Sequence, residues 1–506
     1  MTTVSEVKPR ETAFTQAAAV RLALGIALSA LSGIMLLLSF PPYGIWPLIW
    51  VGFVPYLFAQ HRLLPLKWSS LAIAIAMLLW LGPYLARLMG PEVGFFFTYM
   101  GVWIAVLCFF LSRERRFHEI TAYRWFILYG VIFWVGFEMI RATFIPLIAT
   151  SGFVGYTQAA QAWLTQPVSI FSVYGLNILI MLVNFSLAQA AMAWYDRRWP
   201  SADAVPVNTG ATRNWLVATG TILVAWIALS LILLNSAPTD SPTVRVAALQ
   251  PNFALPAFQD TDVMEQVRLD TFSEQARQSA QQGAELIFTP EMNFDFDPQV
   301  THTQELRALA KEIGAYLFLT YSVTENEWRN EAVMLSPTGE FSQVYGKNHV
   351  FGEPPTPTAG VYPVFDTPLG RLATLICHDA NYTDVARTLT KNGAQLIASP
   401  INEFGGFGEQ YWTNVTFRAL ENRAAMVFTG RATNSGIIDP YGRQVALAIN
   451  MDGERVTLVA DVPLGSGNAP LVRLGDWLGW VCLGGLILFM VYEIITERRA
   501  KKAAQS

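Results

Sequence analysis

Eight stretches of the chain are apolar over about the 20 residues that a helix needs to cross a bilayer. They fall at about 20–40, 45–60, 69–88, 94–112, 124–145, 168–194, 215–234 and 473–494. The second is short, and the sixth is long enough to tilt. The first is too long, and too closely followed by others, for a cleaved signal peptide. From Val244 the pattern changes to short apolar runs that alternate with amphipathic segments. Strands are expected at 244–250, 285–288, 315–320, 330–335, 342–345, 372–376, 395–399 and 425–429, and a further pair turns at Asp439-Pro440-Tyr441-Gly442. Helices are expected at 262–282, 302–313, 384–392 and 410–423. Strands alternating with helices argue a layered α/β domain. At about 230 residues it is large enough to bury its own core.

The expected architecture is therefore a polytopic α-helical membrane domain of about eight spans plus one α/β domain. The division runs 1–235, 236–472 and 473–506, the last being a C-terminal span and tail. Composition agrees: 53% of the 506 residues are hydrophobic and 14% charged, where ordinary globular domains carry about 25% charged residues. The distribution of charge adds orientation. Lys8, Arg10 and Arg21 precede the first span; Arg62 and Lys67 follow the second; Arg113, Arg115, Arg116 and Arg124 follow the fourth. Arg197, Arg198 and Arg213 follow the sixth, and Arg498, Arg499, Lys501 and Lys502 the eighth. The alternate connections are nearly bare, with Glu92 as the one charge in 88–94. By the positive-inside rule both termini are cytoplasmic and the α/β domain is extracytoplasmic. Within the spans, Glu138 and Arg141 share one helical face and are placed to pair. Such a pair marks either a functional site or an ion pair near the end of a tilted helix. The uncharged loop 147–167 is expected under the exported domain, either lining a lipid path or lying as plain surface.

Candidate chemistry gathers at strand ends. Glu291 follows Ile287-Phe288, Lys347 follows Val344-Tyr345, and Cys377 follows Leu375-Ile376. Ligand sites in α/β sheets collect at the carboxyl ends of strands. Of the three cysteines, Cys108 and Cys482 lie in spans, which leaves Cys377 as the one thiol of the exported domain. A carboxylate can take the thiol proton, and an ammonium can hold first the thiolate and then an oxyanion. Each residue also has a plainer reading: Glu291 as a helix cap, Lys347 as a solvated surface lysine, Cys377 as core filler.

Thr289-Pro290-Glu291, Tyr345-Gly346-Lys347-Asn348-His349 with Phe351-Gly352-Glu353, and Leu375-Ile376-Cys377-His378-Asp379 resemble the Glu-Lys-Cys motifs of the nitrilase (carbon–nitrogen hydrolase) superfamily. Arg418–Arg423 and Ile438–Gly442 resemble two further landmarks of that superfamily. With the spans, and with Phe40-Pro41-Pro42-Tyr43-Gly44, Ser172–Leu176 and Gly475-Asp476-Trp477, the chain resembles the apolipoprotein N-acyltransferase family. The resemblance implies a nitrilase-like αββα sandwich and a bacterial inner-membrane enzyme of lipoprotein maturation. Cys377 would take an acyl chain from a phospholipid as a thioester and pass it to the α-amine of a diacylglyceryl-modified apolipoprotein. Glu291 would be the base, Lys347 the oxyanion stabiliser, and Glu353, Asp379 and His378 supporting residues.

Three stretches differ from the family pattern. His378-Asp379 stands where Tyr-Glu is usual, Pro146-Leu147-Ile148 lacks the usual Pro-Trp, and Asn402–Phe407 lacks the usual Asn-Asp-Ala-Trp-Phe. Two other readings remain at this point: a membrane-anchored amidase that uses water as acceptor, and an inactive scaffold partnering a polyprenol-linked glycosyltransferase. No metal or cofactor is expected, since the five histidines are scattered and no Gly-rich phosphate loop precedes a helix. No basic stripe suggests nucleic acid, and a monomer is expected.

Overall fold

The computed structural model describes residues 16–503 apart from 89–93, 113, 146–148, 201–204, 239, 253–260, 325–326, 403–404, 432–433 and 450–453. The departures at Pro146-Leu147-Ile148 and at Glu403-Phe404 lie outside the described residues. Seven helices in that range are long and apolar enough to cross a membrane. They are α1 (Gln16–Ser39), α2 (Leu71–Leu88), α3 (Gly94–Leu111), α4 (Phe126–Phe144), α5 (Val168–Arg198), α6 (Thr209–Asn235) and, at the end of the chain, α11 (Trp477–Ala503).

The expected second span, 45–60, is not one helix. It breaks into a 3-10 turn Trp46–Trp50, a short helix Val54–Phe58 and a wider turn Ala59–Leu63. Pro47 and Pro55 supply no backbone N–H, so a continuous ladder cannot form through them. The segment still runs from one end of the bundle to the other. At its start the Trp46 carbonyl accepts from Gln158 Nε2 (3.3 Å), and at its end Arg62 pairs with Asp196 (2.6 Å) in the last turns of α5. Arg62 also donates to Tyr123 Oη (2.9 Å), and Arg115 donates to the carbonyls of Gln60 (2.8 Å) and Leu64 (2.5 Å). Basic residues of two connections, Arg62 and Arg115, thus meet at one end of the bundle, where α5 also ends.

Glu138 and Arg141 share a face of α4 but do not pair. Glu138 accepts from Trp134 Nε1 (3.0 Å) and Asn177 Nδ2 (2.6 Å). Arg141 donates to the Ser151 carbonyl and lies over the Phe153 ring. Each finds a partner on a neighbouring segment, which removes the drive for the local pair. Nor is 149–159 a surface loop: most of it is buried, roofed by the α/β domain at the other end of the bundle.

That domain holds two six-stranded sheets. The first is built from β1 (Thr243–Gln250), β2 (Leu286–Phe288), β3 (Tyr316–Val323), β4 (Arg329–Leu335), β5 (Tyr345–Gly346) and β12 (Val456–Pro463), in the order β12-β1-β2-β3-β4-β5. The second takes β6 (Phe365–Thr367), β7 (Gly370–Thr374), β8 (Leu396–Ile401), β9 (Ala425–Gly430), β10 (Asn434–Ile438) and β11 (Gln444–Ile449). Alternation of side chains along each strand feeds two cores. Val244, Val246 and Ala248 of β1 meet Leu396, Ala398 and Val427 between the sheets. Ala247 and Leu249 face outward to Leu269 and Phe272 of α7 (Thr261–Gln281) and Leu306 and Leu309 of α8 (Thr303–Ile313). The second sheet is covered by α9 (Asp384–Lys391) and α10 (Gly405–Asn422). The result is the expected αββα sandwich.

Helix α10 joins the sandwich to the bundle. Val415 and Ala419, one turn apart, pack on the sheet, while Phe417 and Leu420 join the apolar core of the bundle. Beneath it α5 bends at Ser172 (φ 59°). The Ser172 hydroxyl lies 3.2 Å from Glu421 and 2.9 Å from Asp476, and the freed Val173 amide donates to Glu421 (3.2 Å). Arg418 pairs with Glu421 (2.7 Å) and Arg387 with Asp476 (2.9 Å). Removing one member of a buried ion pair strands the other. Glu421→Ala should therefore cost about 3–5 kcal/mol, seen as a lower thermal unfolding midpoint of the detergent-solubilised protein. An unchanged midpoint would contradict a structural role for this junction.

Candidate active site

Glu291 sits just beyond β2. Its Oε1 accepts from Asn330 Nδ2 (2.8 Å) and Lys347 Nζ (3.0 Å), and its Oε2 from the Asn402 amide (2.9 Å). It is 1% exposed, and the next helix starts only at Thr303, so it is not a helix cap. Lys347 follows β5 directly, with its amide bonded to the Asn330 carbonyl (3.1 Å). It is buried, and it forms ion pairs with Glu291 (3.0 Å) and Glu353 (2.5 Å). The second Glu353 oxygen accepts from the Phe351 amide (2.8 Å).

Cys377 lies three residues past β7, which ends at Thr374, two residues earlier than the apolar run suggests. The chain stays extended through Ile376 and then turns sharply: Cys377 has φ 49° and opens a 3-10 turn, Cys377–Asn381. A non-glycine residue held there carries strain of about 1–3 kcal/mol and needs firm support. Support comes from Tyr411, whose hydroxyl bonds the Cys377 carbonyl (2.7 Å) and Ser399 (2.8 Å). More comes from Asp379, fully buried, which accepts from the Ile376 amide (3.0 Å), the Tyr345 hydroxyl (2.7 Å), the Asn348 amide (3.1 Å) and the His349 amide (2.7 Å). Asp379 thus fastens the cysteine turn to the segment that carries Lys347. His378 is buried with Nδ1 at 2.9 Å from Asn381 Nδ2, its ring edge against Phe351 and Tyr382. Asn381 in turn offers its carbonyl to the amide (3.3 Å) and hydroxyl (2.6 Å) of Thr150, on the loop at the top of the bundle.

The charges favour an ionised lysine. Burial opposes it, yet Glu291, Cys377 and Glu353 hold the Lys347 ammonium well above its ordinary pKa. Burial also opposes ionisation of Glu353, but Lys347 keeps its carboxyl below the usual range. Lys347 is thus a buried positive charge held between two carboxylates. All six residues expected from the sequence, Glu291, Lys347, Cys377, Glu353, Asp379 and His378, fall in one region. Sequence reading did not single out Asn330, the Asn402 amide or Tyr345, because they act through a side chain within a strand, a backbone group and a core hydroxyl.

The carbon–nitrogen hydrolase family model matches residues 245–469, the stretch that holds Glu291, Lys347 and Cys377. A model of the apolipoprotein N-acyltransferase N-terminal domain matches residues 32–186. The apolipoprotein N-acyltransferase of Geobacter metallireducens is 26% identical over 90% of this chain and 93% of that protein. The one from Thermotoga maritima is 23% identical over 95% of each. Among solved structures, an amidase of the nitrilase superfamily from Nesterenkonia sp. AN1 shares 23% identity, with a TM-score of 0.38 over 47% of this chain and 95% of that one. Both family models and the Geobacter and Thermotoga relatives, which span 90% or more of the chain, make it similar along its length to apolipoprotein N-acyltransferases.

At the rim, His349 bonds Asp384 (3.1 Å) and stacks on Tyr382 (3.7 Å between ring centres). Burial opposes its protonation, but Asp384 and, farther off, Asp379 raise its pKa above the ordinary value. A raised pKa contributes stability that is complete below the unfolded value, about 6.5, and is lost as pH rises through the folded one. The gap in unfolding midpoint between wild type and Asp384→Asn should therefore be widest below about pH 6.5 and narrow as pH rises. A gap that is flat with pH would rule this pair out as its source.

Proposed function

We propose that the chain transfers a fatty acyl group from a phospholipid to the N-terminal α-amine of a diacylglyceryl-cysteine apolipoprotein. The observation that carries this is a strained, buried cysteine beside a lysine fixed between two carboxylates, on a turn bonded to the top of a membrane bundle. Glu291 takes the Cys377 proton as the sulfur attacks the ester carbonyl. Lys347 stabilises the oxyanion. Collapse breaks the ester C–O bond, and the departing lysophospholipid alkoxide takes the proton from Glu291. The acceptor amine then attacks the thioester and gives its proton to Glu291. A second collapse breaks the C–S bond, leaves an amide, and returns the proton to sulfur. Glu353 keeps Lys347 in place, while Asp379 and His378 hold the turn.

The bundle end that gathers Arg62, Arg115 and Arg197 would face the cytoplasm of a bacterial inner membrane, with both termini on that side. The sandwich would then stand outside it, in reach of lipids presented from the outer leaflet. The chain would act as a monomer. A multi-helix base also separates this reading from a tethered amidase, for which a single anchor suffices.

The test is a two-stage reaction in detergent. Enzyme charged with phospholipid is freed of excess lipid and given a diacylglyceryl-cysteine peptide. The expected product is N-acylated peptide, with the rate falling by about 10²–10⁴ in Glu291→Gln and Lys347→Ala. Release of free fatty acid with no acylated peptide would make the enzyme a hydrolase. Absence of either product would favour the scaffold.

A further inference from the structure

The two sheets touch where β9 and β2 end, the Thr429 hydroxyl donating to the Thr289 carbonyl (2.8 Å). Two residues past this contact lies Glu291 on one side and Arg431 on the other. Arg431 is 5% exposed, about as buried as Cys377 at 6%. Its Nε and Nη2 have no hydrogen-bond partner among the described residues. These two atoms form one edge of the guanidinium plane, the edge whose parallel N–H groups match two oxygens of a carboxylate or phosphate. Burial, and then nearby Arg268, push its pKa down to about 10 against the pull of Asp295 and Glu291. Those carboxylates are engaged elsewhere: Asp295 pairs with Arg268, and Glu291 with Lys347. A charged donor pair left buried and unmatched is costly, and a cost of this kind beside a reacting centre suits a group that a substrate completes.

We propose that the Nε–Nη2 edge of Arg431 binds the phosphodiester of the acyl-donor phospholipid. This rests on the acyl-transfer reading above. In that reaction the donor brings one formal anion in the same molecule as the ester, separated from it by the glycerol unit. The acceptor brings a free amine, and its cysteine carboxyl is tied up in a peptide bond. An anion-binding fork two residues past the contact that also positions Glu291 therefore fits the donor and not the acceptor. The competing account is that Arg431 only offsets the second carboxylate on Lys347.

The experiment follows thioester formation on Cys377 by intact mass, using full-length wild type and Arg431→Gln in detergent. Two donors are compared, phosphatidylglycerol and the uncharged ester p-nitrophenyl palmitate. The ratio of phospholipid to neutral-ester acylation rates should fall by about tenfold in the variant. An unmoved ratio, whether both rates drop together or neither drops, overturns the proposal and leaves charge balance as the role. A second arm needs no variant: sn-glycero-3-phosphoglycerol should slow wild-type acylation by the neutral ester, and glycerol at the same concentration should not. Equal effects of the two would also overturn it. Failure of the acyl-transfer reading would look different, because wild type would accept the neutral ester and no phospholipid at all.

Discussion

Asp379 accepts hydrogen bonds from both halves of the site at once. The Ile376 amide reaches it from the cysteine turn, and Tyr345, Asn348 and His349 reach it from the segment around Lys347. Cys377 follows a strand of the second sheet, and Lys347 and Glu291 follow strands of the first, so this carboxylate ties the two segments together. Burial pushes its carboxyl up, opposed by the Tyr345 hydroxyl and the backbone amides that it accepts from. Where the family commonly has glutamate, the shorter aspartate here sits within 3.1 Å of those amides. The substitution is accommodated by the close approach of the two segments.

The same frame explains the strain at Cys377. A left-handed cysteine is tolerated because Tyr411 holds its carbonyl and Asp379 holds the residue before it. Its turn ends at Asn381, whose carbonyl is bonded to Thr150 at the head of the bundle. A second attachment runs through Ser172, Glu421 and Asp476. The sandwich is therefore docked on the membrane helices through the elements that shape its site, and lipid-borne substrates would meet the sulfur at a fixed height above the bilayer.

Much of this was legible in the residues. The run Leu372–Ile376 followed by Cys377-His378-Asp379 marks a strand ending on a thiol, and the short apolar runs of β1 and β3 announce the sheets. Glu291 and Lys347 stood out because polar residues directly follow apolar strands. Arg431 did not, since one arginine among 34 basic residues becomes notable only when packing buries it without a partner. Long-range pairing was equally hidden: β12 closes the first sheet beside β1, some 200 residues away in sequence. The break in the second span had a local signal in Pro47 and Pro55, but its apolar composition masked it.

Mapping the acyl group after incubation with phospholipid tests the central claim most directly. The full chain is digested and the hydroxylamine-labile acyl group is located by peptide mass spectrometry, with Cys108 and Cys482 as internal controls, both buried or half-buried in the spans. The account predicts the acyl group on the Cys377 peptide alone, and its loss when Lys347 is replaced by alanine. An acyl group on either membrane cysteine, or a Cys377 that stays unmodified while acyl transfer proceeds, would contradict it.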